Sequence, residues 1–226
     1  LIEIMLDIET VPTSRADIQA RCVADVAPPG NYKKPETIAD WWEKEGEAKK
    51  AEAISRTSLD GTWGEVIVIG FAVNDDPVQV FSRGLTEADL LNTFGLMLDS
   101  TCSKAIQSGD MWPTIAKWIG HNIIDFDLRF LWQRSKILGV SLPFSLPLGR
   151  AYDKHVYDTM REWAGYRDHV SLSDLELAFG VSRDDPLPGG GADVFAAFRK
   201  GRIADIKEHC RQDIENLRTV YRRMTK

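Results

Sequence analysis

The stretch IMLDIET, Ile4 to Thr10, sets two carboxylates one residue apart in a run otherwise suited to a buried strand. In an extended chain successive side chains alternate faces. Asp7 and Glu9 therefore point the same way as Glu3 and Met5, while Ile2, Ile4, Leu6 and Ile8 line the opposite face. Any fold of this chain has to cover the apolar face and find a place for both acids on the other. Two carboxylates held this close repel, and normally force a proton onto one of them unless a cation lies between. An amphipathic edge strand with a solvated acidic face is the plainer alternative, so the position of further acids matters.

The rest of the chain reads as a mixture of strands and helices. EVIVIGFAV (65–73) and PVQVFS (77–82) are β-branched runs separated by NDD, the pattern of a hairpin following the first strand. TEADLLNTFGLML (86–98) has an N-cap Thr, early acids and apolar residues at helical spacing. KWIGHN predicts a short strand ending at Asn122, DFDLRFLWQRSKIL a helix, KHVYDTM a fifth strand and SLSDLELAFG a capped helix stopped by Gly180. The DDPLPGGG run reads as a loop, a flexible lid or connector, and the segment from Gly201 to Met224 as a long final helix. Strands come first and helices increasingly take over. The expected fold class is α/β, a mixed five-stranded sheet flanked by helices.

No repeat, low-complexity tract or long linker divides the 226 residues, so a single domain, 1–226, is the simplest organisation. A partly helical segment at about 13–62, carrying APPGNYKKP and IADWWEKEGEAKKAEAI, reads as an insertion after the first strand. Trp41 and Trp42 there could stack on unpaired bases or anchor the insertion to the core. Cys22, Cys102 and Cys210 lie far apart with no C-x-x-C spacing, which argues against a disulfide framework or zinc site and for a reducing, cytoplasmic compartment. No apolar run approaches the roughly 20 residues of a membrane span, and no signal-peptide pattern opens the chain. A net charge of −6 speaks against nonspecific coating of nucleic acid. Residues 199–226, with nine Lys/Arg against four Asp/Glu, leave room for a local basic surface or a solvated helix face.

Two further acids stand out. In the final helix Ile203, Ile206, Cys210, Ile214, Leu217, Tyr221 and Met224 define a buried stripe. Asp213 falls about 50° from its centre at 100° per residue, inside the packed side. His209, one turn earlier, stands beside Asp213 at the rim of the stripe, as a hydrogen-bonded structural pair or a catalytic one. In GHNIIDFDLRFL an apolar strand turns into a helix whose Phe126, Phe130 and Leu131 face the core. Asp127 then projects from the first turn, where the helix dipole favours a carboxylate, and Asp125 is the expected cap.

Taken together, LDIET, HNIIDFD and HCRQD resemble the three acidic motifs of the DEDD (DnaQ-like) superfamily of 3'-5' exonucleases, whose domains are ribonuclease H-like. The second and third motifs and the insertion before GEVIVIGFAV are most similar to stand-alone exonucleases related to the proofreading domain of family B DNA polymerases. One departure stands in the third motif: its Y-x3-D spacing is kept, but His209 occupies the tyrosine position, and Glu208, not histidine, is five residues before Asp213.

The resemblance implies a metal-dependent exonuclease using two Mg²⁺ or Mn²⁺ ions, as hard oxygen ligands without a soft donor also suggest. It implies that Asp7 bridges both ions, that Glu9 and Asp213 complete one site and that Asp127 holds the other, with His209 handling the attacking water. Thr10 and Asn122 are candidate substrate contacts, Asn122 alternatively a brace for its turn. The expected partner is nucleic acid with a free 3' end, single-stranded DNA in preference, with a replication or recombination partner possible and no membrane. Two alternatives are an exoribonuclease and a ribonuclease H-like binding module impaired at His209. The glycines of PGGGAD lack the lysine of a phosphate-binding loop, so phosphoryl transfer from a nucleotide has no support.

Overall fold

A computed structural model describes residues 2–106, 111–148 and 154–226. The first strand, β1 (Ile2–Val11), is followed by α1 (Ala16–Ala24), α2 (Pro35–Trp41) and α3 (Glu47–Ser55), then by the hairpin strands β2 (Glu65–Val73) and β3 (Gln79–Ser82). The helix α4 (Glu87–Ala105) and the short α5 (Trp112–Ile115) lead into β4 (Ala116–Gly120), α6 (Asp127–Ile137) and β5 (Val156–Asp158). The chain closes with α7 (Thr159–Ala164), α8 (Leu172–Ala178), α9 (Gly191–Arg199) and α10 (Ile203–Met224).

The strands form one mixed sheet in the order β3-β2-β1-β4-β5. β1 pairs antiparallel with β2 and parallel with β4, which pairs parallel with β5. β1 is thus a central strand, and the edge-strand alternative for IMLDIET does not hold. Its two faces serve different cores, as the alternation predicts. Ile2, Ile4, Leu6 and Ile8 pack with Leu90, Leu91, Phe94 and Leu98 of α4 and with Leu128, Phe130 and Leu131 of α6. Met5 and Val11, on the other face, join Ile206, Cys210, Ile214, Leu217 and Tyr221 of α10. Each such side chain contributes about 1.5–3 kcal/mol when fully buried. Three layers result, helix on sheet on helix. The close seating of α10 depends on Gly70 of β2, where an added Cβ would lie 2.6 Å from both Cys210 Sγ and Ile214 Cδ1.

The local signals act as their chemistry dictates. Thr86 caps α4 by accepting from the Asp89 amide, and Ser171 caps α8 by accepting from Asp174. Gly180, in the left-handed region at φ 62°, ends that helix region as expected. Asp125, the expected cap of α6, does not cap it: Phe126 holds the cap position and Asp125 pairs instead with Arg161. The helices α7 and α9 were not expected, and α4 runs seven residues further than 86–98. The segment between β1 and β2 is mostly helical, with a wider π turn at Trp42–Gly46 joining α2 to α3. Trp41 is buried there, edge-on to Trp42, which favours the anchoring role over base stacking. A buried ion pair binds this region to the rest: Arg134 of α6 meets Glu87 of α4 through two nitrogens and also reaches the Gly61 carbonyl.

The basic residues of α10 are largely engaged rather than free. Arg211 pairs with Glu208 and Glu215, Arg222 with Asp75, and Arg218 and Arg223 donate to the carbonyls of Asp76 and Phe179. The described helices include none long and apolar enough to cross a membrane.

Candidate metal centre

Three elements converge on the acidic face of β1. The strand supplies Asp7 and Glu9, the start of α6 supplies Asp127, and α10 supplies His209 and Asp213. A register shift in the β1–β2 pairing falls between Glu9 and Thr10. The extra residue of this irregularity is Ile67 of β2, opposite the step directly after the second acid.

Asp127 is 3% exposed, and its Oδ1 accepts from the Ile8 amide of β1 at 3.1 Å, so the first residue of α6 is tied to the strand between the two other acids. The turn that delivers it is held by Asp158 at the end of β5. Asp158 accepts from the amides of Asn122 and Ile124 and, as cap of α7, from those of Met160 and Arg161. Asn122 itself adopts a left-handed φ of 59°, a conformation asparagine tolerates better than most residues, which agrees with a bracing role in the turn. The Thr10 hydroxyl donates to the Ser58 carbonyl at 2.7 Å and so links β1 to the helical segment.

Glu9 is common to two groups of side chains with the donor atoms to hold a metal ion, those atoms lying within 4.8 Å of one another in each: Asp7, Glu9 and Cys210, and Glu9, His209 and Asp213. His209 is 3% exposed, deeper than the expected rim position. Its hydrogen-bond partner is not Asp213 but Asp185, whose Oδ2 lies 2.7 Å from Nδ1. Its Nε2 faces Glu9 Oε1 at 3.6 Å and Asp213 Oδ2 at 3.7 Å.

Sequence reasoning missed the ion network that surrounds this histidine. Arg183, from the loop before α9, contacts Asp213, donates through Nε to Asp185 at 2.7 Å and meets Glu176 of α8 at 3.0 Å. Asp185 also accepts from the Leu187 amide two residues on. That is an Asx turn, which the Asp-Pro pair at 185–186 signals locally but without indicating a long-range partner. A cavity of about 360 Å³ opens beside these residues, lined by Arg183, Asp185, His209, Asp213 and the glycines of the DDPLPGGG loop, so the loop does border the site. A larger cavity of about 700 Å³ lies in the α1–α3 region against Trp41, Lys49 and Arg56, and none of the expected acids lines it.

The electrostatics are those of a site short of positive charge. Burial, reinforced by the Asp127 charge, pushes the Asp7 carboxyl up to about 8. Burial and the nearby Asp7 and Asp127 push Glu9 well above the usual carboxylate range. Asp127 rises to about 7, again chiefly through burial, with Asp158 adding to it. Arg183 pulls Asp7 and Glu9 the other way but does not offset the rise. Burial also raises Asp185, yet the Leu187 amide, Arg183 and His209 together outweigh it and leave that carboxyl below its ordinary range. Burial lowers His209, keeping the ring neutral.

These residues fit a bound cation. Three carboxyls are disfavoured as anions, and Asp7 Oδ2 is buried with no hydrogen-bond partner among the described residues. A metal ion held by these residues would supply the missing charge and ligation together. The donors are mainly carboxylate oxygens. The structure adds one soft atom that was not expected, the Cys210 sulfur, but burial and the adjoining acids raise its pKa strongly and keep it a thiol. Carboxylate oxygens still outnumber that sulfur and the His209 nitrogen in the two groups, which suits a hard cation better than a soft one.

The mixed sheet in the order β3-β2-β1-β4-β5, with β2 running against its neighbours and helices on both faces, is a ribonuclease H-like α/β fold. No family model matches the chain, and no curated protein matches it significantly. Among solved structures the chain is similar to the family B DNA polymerase of the hyperthermophilic archaeon Pyrobaculum calidifontis, at 13% identity and a TM-score of 0.54. The match covers 96% of this chain and 24% of the polymerase, so the chain corresponds to about a quarter of that protein's length.

Proposed function

We propose that this chain is a divalent-metal-dependent 3'-5' exonuclease of the DEDD type, with DNA the favoured substrate. The observation that carries the reading is that Asp7, Glu9 and Asp127 lie buried close together without enough compensating charge, with Asp213 beside Glu9 and balanced by Arg183. The likeness in fold to a DNA polymerase supports it.

Asp7, Glu9, Asp127 and Asp213 would hold Mg²⁺ or Mn²⁺, in the two-ion arrangement the family resemblance implies. Bound there, the ions would polarise the scissile phosphate, favour ionisation of the attacking water and stabilise the departing 3' oxygen. The protein's own residues do the rest. The α6 helix and the Ile8 amide fix Asp127, so the acids are positioned before substrate arrives. His209, neutral and buried, accepts a proton at Nε2 or orients the water there, a contribution of about 10²- to 10⁴-fold for a general base. Arg183 counterbalances part of the carboxylate charge and holds Asp213 in the metal-free protein.

The test is incubation with 5'-labelled single-stranded DNA and RNA in parallel, with Mg²⁺, Mn²⁺ or EDTA. The expected result is a ladder shortening from the 3' end of DNA, present with either metal and absent in EDTA. No cleavage of either polymer in any metal overturns the reading. Stoichiometric oligonucleotide binding without cleavage would instead favour a binding module, the reading to which the Arg183 contact with Asp213 lends support.

A further inference from the structure

Asp185 has no place among the three acidic motifs, yet its side chain is only 5% exposed and bonds directly to His209. It is fixed from three sides. The Leu187 amide donates to Oδ1 at 2.8 Å, Arg183 Nε donates to Oδ2 at 2.7 Å, and His209 Nδ1 lies 2.7 Å from the same Oδ2. Arg183 is in turn clamped by both oxygens of Glu176, which Asn216 of α10 also contacts. The carboxylate therefore stands in one orientation, and an ionised carboxylate can only accept.

We infer that Asp185 is a positioning residue that holds the proton of His209 on Nδ1, leaving the lone pair of Nε2 aimed between Glu9 and Asp213. Which imidazole nitrogen carries the proton is set by the hydrogen bond the other makes, and here that bond has one possible direction. The ring could otherwise place its N–H on Nε2, facing Glu9 and Asp213 at 3.6 and 3.7 Å. In that tautomer the Nε2–H would point toward the two acids, and the nitrogen could take no proton from a water between them. Asp185 thus decides whether the histidine in this place can act as an acceptor at all. The inference rests on the proposed role of His209 only for its catalytic consequence; the tautomer is a property of the resting protein.

The first experiment reads that property without any variant. Long-range ¹H–¹⁵N correlation on histidine-labelled wild-type protein in EDTA resolves four histidines, and the His209 signals are assigned by their loss in His209→Gln. The expected pattern is a pyrrole-like Nδ1 and a pyridine-like Nε2. A pyrrole-like Nε2 overturns the inference, whatever the activity. The second experiment replaces the carboxylate: Asp185→Asn is expected to lower kcat on single-stranded DNA by about 10- to 100-fold, the usual scale for a residue that orients a functional one, with KM within about threefold. An unchanged kcat in this variant also overturns it. Wild-type protein that shows the Nδ1–H tautomer but cleaves no nucleic acid would instead remove the exonuclease reading and leave the positioning by Asp185 standing.

Discussion

Replacing Asp7 by Asn should stabilise the metal-free protein, although it removes a residue proposed to be essential. The carboxyl titrates at about 8 in the folded chain against an ordinary 3.8, because it is buried and close to Asp127. An acid whose folded pKa is raised contributes most at low pH, and its contribution is lost as pH rises from the unfolded to the folded value, here from 3.8 to about 8. At pH 7 the native state keeps the proton that the unfolded chain releases, a cost bounded at about 4 kcal/mol by 1.36 kcal/mol per pH unit. Water entry and relaxation around the cluster reduce this to on the order of 1–3 kcal/mol. Asparagine fills the same space without a charge and escapes that cost. For a chain of this size the gain corresponds to a Tm higher by roughly 2–10 °C. Thermal unfolding in EDTA at pH 7.5, followed by circular dichroism, should show Asp7→Asn melting above wild type, with the gap narrowing towards pH 5. Saturating Mn²⁺ should reverse the order, because a cation that binds only the folded state raises the wild-type Tm. Equal or lower Tm for the variant in EDTA, with parallel pH dependence, would refute the claim that Asp7 is held against its own charge.

His209→Ala should cut turnover by about 10²- to 10⁴-fold while Mn²⁺ still raises the Tm; unchanged turnover takes His209 out of the mechanism. Asp213→Ala should abolish cleavage of labelled single-stranded DNA, and wild-type cleavage by this variant contradicts the assigned acids. Arg134→Met strands Glu87 in the interior and should cost about 3–5 kcal/mol in urea unfolding; a loss below 1 kcal/mol would mean the pair is dispensable. Gly70→Val drives a side chain into Cys210 and Ile214 and should cost about 1–3 kcal/mol by the same measurement, whereas a neutral result would show that α10 shifts freely on the sheet.

The sheet and the candidate acids were legible because both follow a period. Alternation in Ile2–Glu9 separates the apolar face from the acidic one, and the spacing from Ile203 to Met224 puts Asp213 on the packed side of α10. His209 was placed correctly on its helix but given the wrong partner, since the residue that bonds it comes from a loop 24 positions away. Asp185 and Arg183 have no periodicity to betray them, and an Asp-Pro pair reads as a turn. The role of Asp158 was hidden for a related reason: its four amide partners lie in two turns that only meet when β4 and β5 pair. Helix α9 opens on the last of three glycines, which masked an apolar pattern whose Val194 and Ala197 are buried.

The central place of β1 ties the acidic centre to the order of synthesis. Its neighbour β4 begins more than a hundred residues later, and the sulfur of Cys210 touches the carbonyl of Asp7 across a separation of 203 positions. Contacts so remote in the chain close late, after much loop entropy has been surrendered. A nascent chain that stops short of α10 leaves Met5, Ile67 and Ile119 uncovered and lacks Asp213 altogether. The last long helix thus seals the sheet and brings Asp213 beside Glu9 in a single docking event, so half-made copies would be sticky and would lack the last of the proposed acids.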